Sequence, residues 1–188
     1  MLHVTIPANE KPIELWDEVN EEFINIPAGK EVDLRLEHSL VSLSKWEEKW
    51  CKSFFSVEEK TDEEIIDYIR CMTLNKNLEP ERYYILRDKD INKIKDYILA
   101  PMTATTFADD KKEGPKRIIT SELIYCWMIA MHIPVEFEKW HLNRLITLIR
   151  VCEAESRPTN TKKKSQQELA DEYARINKIR REKLNSKG

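Results

Sequence analysis

The chain predicts an α+β fold, mainly α: a helical domain with a small N-terminal antiparallel β element and a basic C-terminal tail. Three observations carry that expectation. Gly is scarce, at 3 of 188 residues, and charged residues make up 35%, which favours helices over a turn-rich β-sandwich. Several stretches repeat apolar residues at three- and four-residue spacing, as one buried helix face does. Only the first 36 residues alternate like strands. Hydrophobic residues, at 41%, suffice for a core.

In the N-terminal part, Leu2–Ile6 alternates and ends at Pro7, and Phe23–Ile26 ends at Pro27. The turn-like Ala28-Gly29-Lys30 leads into a further alternating piece, Val32–Leu36. Together they predict a small antiparallel sheet with alternate residues on the helical core. Between Ile13 and Glu22, Leu15, Trp16 and Val19 fit either a helical turn or an edge strand.

A helix is predicted from about Leu40, capped by Ser39, with Leu43, Trp46 and Trp50 on one face and Phe54-Phe55 beside it. The tryptophans read as core packing. Thr61 and Glu64 stand three residues apart as a capping box, opening an amphipathic helix to Met72 with Ile65, Tyr68, Ile69 and Met72 inward. A short helix is expected over Glu81–Leu86. Another is expected over Asp88–Leu99, its apolar face made by Ile91, Ile94, Ile98 and Leu99, ending at Ala100-Pro101. Residues Met102 to Thr120 read as the main loop, with an extended Thr103–Phe107 and the surface signal Gly114-Pro115.

Thr120 to Cys152 is the most apolar part and reads as two helices joined at Ile133-Pro134, the hairpin around which the rest packs. Thr120 and Ser121 are good caps and Glu122 suits the first turn. Leu123 to Met131 is apolar nearly all round, which predicts a buried helix; it is roughly half the ~20 residues of a membrane span. Pro134 stops it. The second helix, from about Val135 to Cys152, would bury Phe137, Trp140, His141, Leu145, Leu148, Ile149 and Cys152.

After Cys152 the composition shifts, and the boundary is placed between residues 155 and 156. From Arg157 to Gly188 there are ten basic and four acidic residues, a net of +6; the rest, with 21 basic and 30 acidic residues, carries −9. Ser165 and Glu168 can form a capping box, and Leu169, Tyr173 and Ile176 make a thin stripe suited to a helix that forms on a partner. Lys162, Lys163, Lys164, Arg180 and Arg181 offer either phosphate contacts or an arm on another protein; a solvated terminus is the plain alternative. One aromatic, Tyr173, argues against base stacking.

Catalytic and cofactor signatures are not found. Cys51, Cys71, Cys126 and Cys152 read as buried free thiols. His132, His141, Cys126 and Cys152 fit no zinc spacing. His38, beside Glu37 and Ser39, lacks a nucleophile elbow or a Gly-rich oxyanion loop. No phosphate-binding or dinucleotide fingerprint occurs. No catalytic residue, cofactor or metal is expected. No signal peptide or membrane span is read, so a soluble intracellular chain is expected.

Five segments carry a resemblance: LEHSLVSLSKWE (36–47), IRCMT (69–73), PMTATTF (101–107), IITSELIY (118–125) and EKWHLNRL (138–145). The basic ending RREKLNSKG (180–188) fits as well, whereas the first 30 residues match less. With these the chain resembles the tail assembly chaperones, small proteins encoded among the tail genes of long-tailed bacteriophages. The resemblance implies a non-enzymatic protein in the cytoplasm of the infected host. It would coat the tape-measure protein while the tail tube polymerises and then leave, with self-association along the client a further possibility. A structural virion component, such as a connector or minor tail protein, and a nucleic-acid-binding accessory protein are the alternatives.

Overall fold

The computed structural model describes residues 1–17, 21–107 and 118–156. The chain divides into two units, Met1–Ala154 and Glu155–Gly188. The fold is α+β, mainly α, and among the described residues the strands all lie in the first 36.

Strands β1 (Leu2–Ile6) and β4 (Val32–Leu36) pair antiparallel, with Leu2 opposite Leu36; β2 (Ile13–Asp17) and β3 (Glu22–Ile26) pair likewise, with Ile13 opposite Ile26. The expected single sheet is thus two two-stranded pieces of one interrupted hairpin, joined by an Asn9–Gly29 bridge. Pro7, Pro12 and Pro27 lack the N–H a continuous ladder requires. Between the bridge and the outer pair, Glu10, Lys11 and Pro12 face only Pro27 and Ala28, so the register shifts by one residue, as at a bulge. The Asn9 side chain closes the gap by donating to the carbonyls of Lys11 (3.1 Å) and Pro27 (2.9 Å). Gly29 is needed here for space: a Cβ would run into the guanidinium of buried Arg82, which itself donates to the Pro7 carbonyl at 3.1 Å.

Helix α1 (Leu40–Trp50) starts where expected, with Ser39 and Ser42 forming a reciprocal capping box. It ends at Cys51 in the left-handed region (φ 51°), whose N–H reaches the Glu47 carbonyl. Helix α2 (Asp62–Met72) has the Thr61–Glu64 capping box. A 3-10 turn over Pro80–Ile85 and α3 (Asp88–Leu99) follow, then α4 (Ser121–Ala130), a second 3-10 turn over Val135–Lys139, and α5 (Leu142–Ser156). Met102–Phe107 forms no strand.

Two apolar cores lie on either side of α1. In the first, Trp46 packs with Val4, Ile6, Leu34 and Leu36 of the hairpin and with Ile66, Tyr68, Ile69, Met72, Tyr83, Leu86 and Ile94. In the second, Leu40 and Leu43 pack with Ile124 and Met128 of α4 and Leu142, Leu145 and Ile149 of α5. Phe54 packs against both. The 120–152 hairpin is therefore one of two cores, not the centre of the whole.

Several expectations need correction. The second helix of that hairpin does not run unbroken from Val135: a 3-10 turn ends at Lys139, and α5 begins only at Leu142, after His141 bridges Ser39. Of its expected core face, only Leu145 and Ile149 are fully buried, joined by Leu142. Helix α4 is not buried all round; it buries Ser121, Ile124 and Met128 and leaves Ile129 76% exposed. It ends before Pro134 takes effect. His132 adopts φ 54° and donates to the Ile129 carbonyl, while Ile133 donates to that of Met128, the paired bonds of a Schellman ending. On α3, Tyr97 is buried and Leu99 is 77% exposed, the reverse of an inward Leu99. In α2, Ile66 is buried as well as Tyr68, Ile69 and Met72. The four thiols are free, but none is buried: Cys51 and Cys126 are exposed and Cys71 and Cys152 half-buried.

Glu47 joins the second core to α1. Its buried carboxylate accepts from the backbone N–H of Ser121 (2.6 Å) and of Phe54 (2.9 Å). The first of these lies at the N-terminus of α4, where free N–H groups and the helix dipole both favour an anion. Glu47→Ala would strand two N–H donors and is expected to lower stability by about 2–4 kcal/mol; exposed Glu48→Ala should stay within about 0.5 kcal/mol. Urea unfolding of both variants checks this. His132→Gly, which removes the Cβ from a left-handed position, is expected to raise stability by about 0.5–1 kcal/mol in the same assay.

Candidate protein-binding surfaces

The chemically richest cluster is buried. His38 closes β4 onto α1 and is 1% exposed. Its Nδ1 lies 2.6 Å from the Tyr68 hydroxyl of α2, its carbonyl accepts from the Leu142 N–H at 2.9 Å, and its ring stands 5.0 Å from that of His141. His141 Nε2 donates to the Tyr97 carbonyl at 3.0 Å, at the end of α3, and its Nδ1 is buried without a partner. Asn143 donates to the Ile98 and Ala100 carbonyls, so the start of α5 caps the free carbonyls of α3. These contacts tie the end of β4 to α2, α3 and α5. Burial, then the neighbouring His141, lowers the His38 pKa from its ordinary 6.5 to about 3, and burial lowers that of His141. Burial lifts the Tyr68 hydroxyl well above its ordinary range. The cluster is a set of neutral groups spent on internal hydrogen bonds.

The sequence singles out His38 and His141 separately; the fold brings them together. It does not bring Cys126 or His132 to them. His132 and Cys126 are exposed, and among the described residues no three His, Cys, Asp or Glu side chains gather as a metal group. The tail residues expected to meet a partner, Lys162, Lys163, Lys164, Leu169, Tyr173, Ile176, Arg180 and Arg181, lie outside the described residues.

What the described surface offers is apolar area. On α4, Glu122, Cys126, Ile129 and Ala130 make one exposed face at helical spacing, and exposed Ile118 and Val135 stand before and after the helix. The other side is held in the second core by Ser121, Ile124 and Met128; Tyr125, one turn before Ile129 and half-buried, donates to Glu138 at 2.8 Å, and beyond the helix Phe137 stacks on Trp140 at 4.1 Å under the Arg144 guanidinium. At the outer hairpin, Trp16 and Phe23 are cross-strand partners with ring centroids 4.9 Å apart, 51% and 67% exposed. A third feature is an apolar cleft between α2 and α3, lined by Ile65, Tyr68, Ile69, Ile91, Ile94 and Ile98 among others. Single exposed apolar residues are ordinary; faces and clefts of them mark binding surfaces. The sequence hides the α4 face because a helix apolar all round gives no sign of which side will be covered.

Among the described residues no helix is long and apolar enough to cross a membrane. Comparison with protein-family models, curated proteins and solved structures returns no match.

Stability should fall with acid in the range set by His38. Between pH 6.5 and about 3 the unfolded chain takes up a proton that folded His38 refuses, so the folded state loses stability as pH falls, at up to about 1.4 kcal/mol per pH unit. His141 acts in the same direction. Urea unfolding from pH 7 to 5, above the carboxylate range, should show this slope, and His38→Gln should flatten it.

Proposed function

We propose that this chain is a non-enzymatic tail assembly chaperone that binds helical, apolar stretches of a phage tape-measure protein and keeps them in solution until the tail tube encloses them. The resemblance across residues 36–145 supplies the client. The observation that carries the reading is α4: the most apolar helix of the chain is covered on one side only, with Ile129 turned out. Covering such a face removes apolar area from water at roughly 25 cal/mol per Å², and an amphipathic client helix supplies a matching stripe. Many copies along one long client would add avidity. On this reading the buried histidine cluster is scaffold, and the basic tail is an arm that adds to the contact made by the body. Host cytoplasm, where tails assemble, is the proposed location.

The test is recovery of the tape-measure protein from phage-infected cells by the full chain, by a chain ending at Ser156, and by Ile129→Asp. The full chain should recover it and be absent from finished particles. Ile129→Asp should recover at least fivefold less at an unchanged melting temperature. Ile129 is already exposed, so folding should survive the change. A truncation that recovers less than the full chain assigns the arm; equal recovery places the site on the body. Stoichiometric presence in purified particles would replace the chaperone by a structural virion component. Binding of nucleic acid that drops steeply with salt and needs Lys162–Lys164 would favour an accessory role instead.

A further inference from the structure

Helix α3 is held at its C-terminal end and along one face. His141 and Asn143 take its last carbonyls, and Lys93 donates to the His3 carbonyl of β1 at 2.8 Å. Ile94 and Tyr97 face inward. Its other apolar residues meet a cleft of about 250 Å³ instead of a neighbouring helix. The walls are Ile65 and Ile69 of α2 and Ile91, Ile94, Ile98 and Leu99 of α3, with Phe54 and Tyr68 completing the lining. Leu99 marks the exposed end.

We propose that this cleft seats one amphipathic α-helix that places large apolar side chains between α2 and α3 and acidic side chains along its flanks. The inference rests on the chaperone reading only in taking the client as the natural source of that helix. Three observations choose the occupant. First, the only two charged residues in the lining are lysines, one on each wall: Lys60 just before α2 and Lys95 on α3. They stand on a body whose net charge is −9, counted over residues 1–156, so the positive rim is a local exception. Second, Lys95 is exposed and has no ion pair among the described residues, so it is open to a partner's carboxylate; Lys60 is half-buried, over the Phe54 ring at 4.7 Å and the Trp46 ring at 5.9 Å, and gives the other wall the same sign. Third, Ile91, Ile94 and Ile98 span seven positions, about 10 Å or two helical turns. A helix carrying apolar residues at i, i+3 or i+4, and i+7 matches that length, and ridges of one helix pack into grooves between others. The volume is below the roughly 300–1,000 Å³ typical of small-molecule sites. That favours side chains inserted from a helix over an enclosed ligand. Acidic flanks complement the two lysines, whereas basic flanks would meet like charge.

The probes are two labelled 18-residue synthetic helices with the same leucine stripe, one flanked by glutamates and the other by lysines. Binding to the full chain is read by fluorescence anisotropy. The glutamate-flanked helix should bind at least tenfold more tightly. Lys95→Glu should cut that preference at least threefold, and Leu99→Asp should weaken binding at least tenfold. Both sites are exposed, so circular dichroism and melting temperature should not change. Equal affinity for the two helices, no binding of either, or a preference indifferent to Lys95→Glu overturns the proposal. So does displacement of the helix by dodecanoate at one equivalent, which would assign the cleft to a fatty acid. A dimer in light scattering that Leu99→Asp dissolves would assign it to a second copy and overturn it as well. The variants also separate this inference from its premise. If Leu99→Asp still recovers the tape-measure protein at the wild-type level, the cleft is not the client's seat and the chaperone reading stands. If the wild-type chain recovers no tape-measure protein, the chaperone reading fails whatever the peptides do.

Discussion

The two cores share a single wall, and the fold depends on how α1 serves both. Leu40 and Leu43 face α4 and α5, while Trp46 faces the hairpin, α2 and α3. Trp46 does more than fill space: its indole N–H donates to the Glu64 carbonyl at 2.9 Å, tying the end of α1 to the start of α2. One turn on, Lys49 and Trp50 both reach Asp67, at 2.6 and 3.0 Å. Glu47, on the same helix, caps α4. An eleven-residue helix would be marginal in water by itself. Here it is fixed by packing on both sides, and its polar groups anchor α2 and α4.

The histidine joint is the second fastening and differs in kind. Glu47 works as a charged acceptor for orphan N–H groups; His38 and His141 work because they are neutral. His38 links α2 through Nδ1 and α5 through its backbone carbonyl, and His141 links α3 through Nε2. Burial disfavours the charged form of both imidazoles, so the geometry that locks α3 and α5 into place is the one expected to weaken in acid.

The surfaces follow from this economy. Since α1 holds both cores, α3 and α4 each need only one packed side. The uncovered side of α4 and the seam between α2 and α3 stay apolar, and the body gains places to receive a helix without losing its own packing. On our reading this is what an assembly chaperone requires: a scaffold that is complete in itself and still has apolar surface to lend. On the same reading, the lysine-rimmed cleft would select client helices by charge as well as by shape.

Much of the fold was legible because it is written locally. Ser39 and Thr61 begin their helices as their caps predict, β1 and β4 follow strict alternation, and Asp88–Leu99 shows its period. These depend on backbone groups and side chains within a few residues of each other. Long-range geometry was not legible. Nothing near His132 announces a left-handed ending without glycine, and no spacing rule places His38 against His141 or Glu47 against Ser121, 74 residues apart. By itself the sequence determined the helices that open at Ser39 and Thr61, the strands β1 and β4, the helix over Asp88–Leu99, and that the first 156 residues are acidic before a basic tail. Only the tertiary structure decided which apolar faces are covered, because burial depends on what arrives from elsewhere in the chain. Ile124 and Ile129 sit on one helix with the same chemistry; the first is buried and the second is free because α1 and α5 can reach only one side.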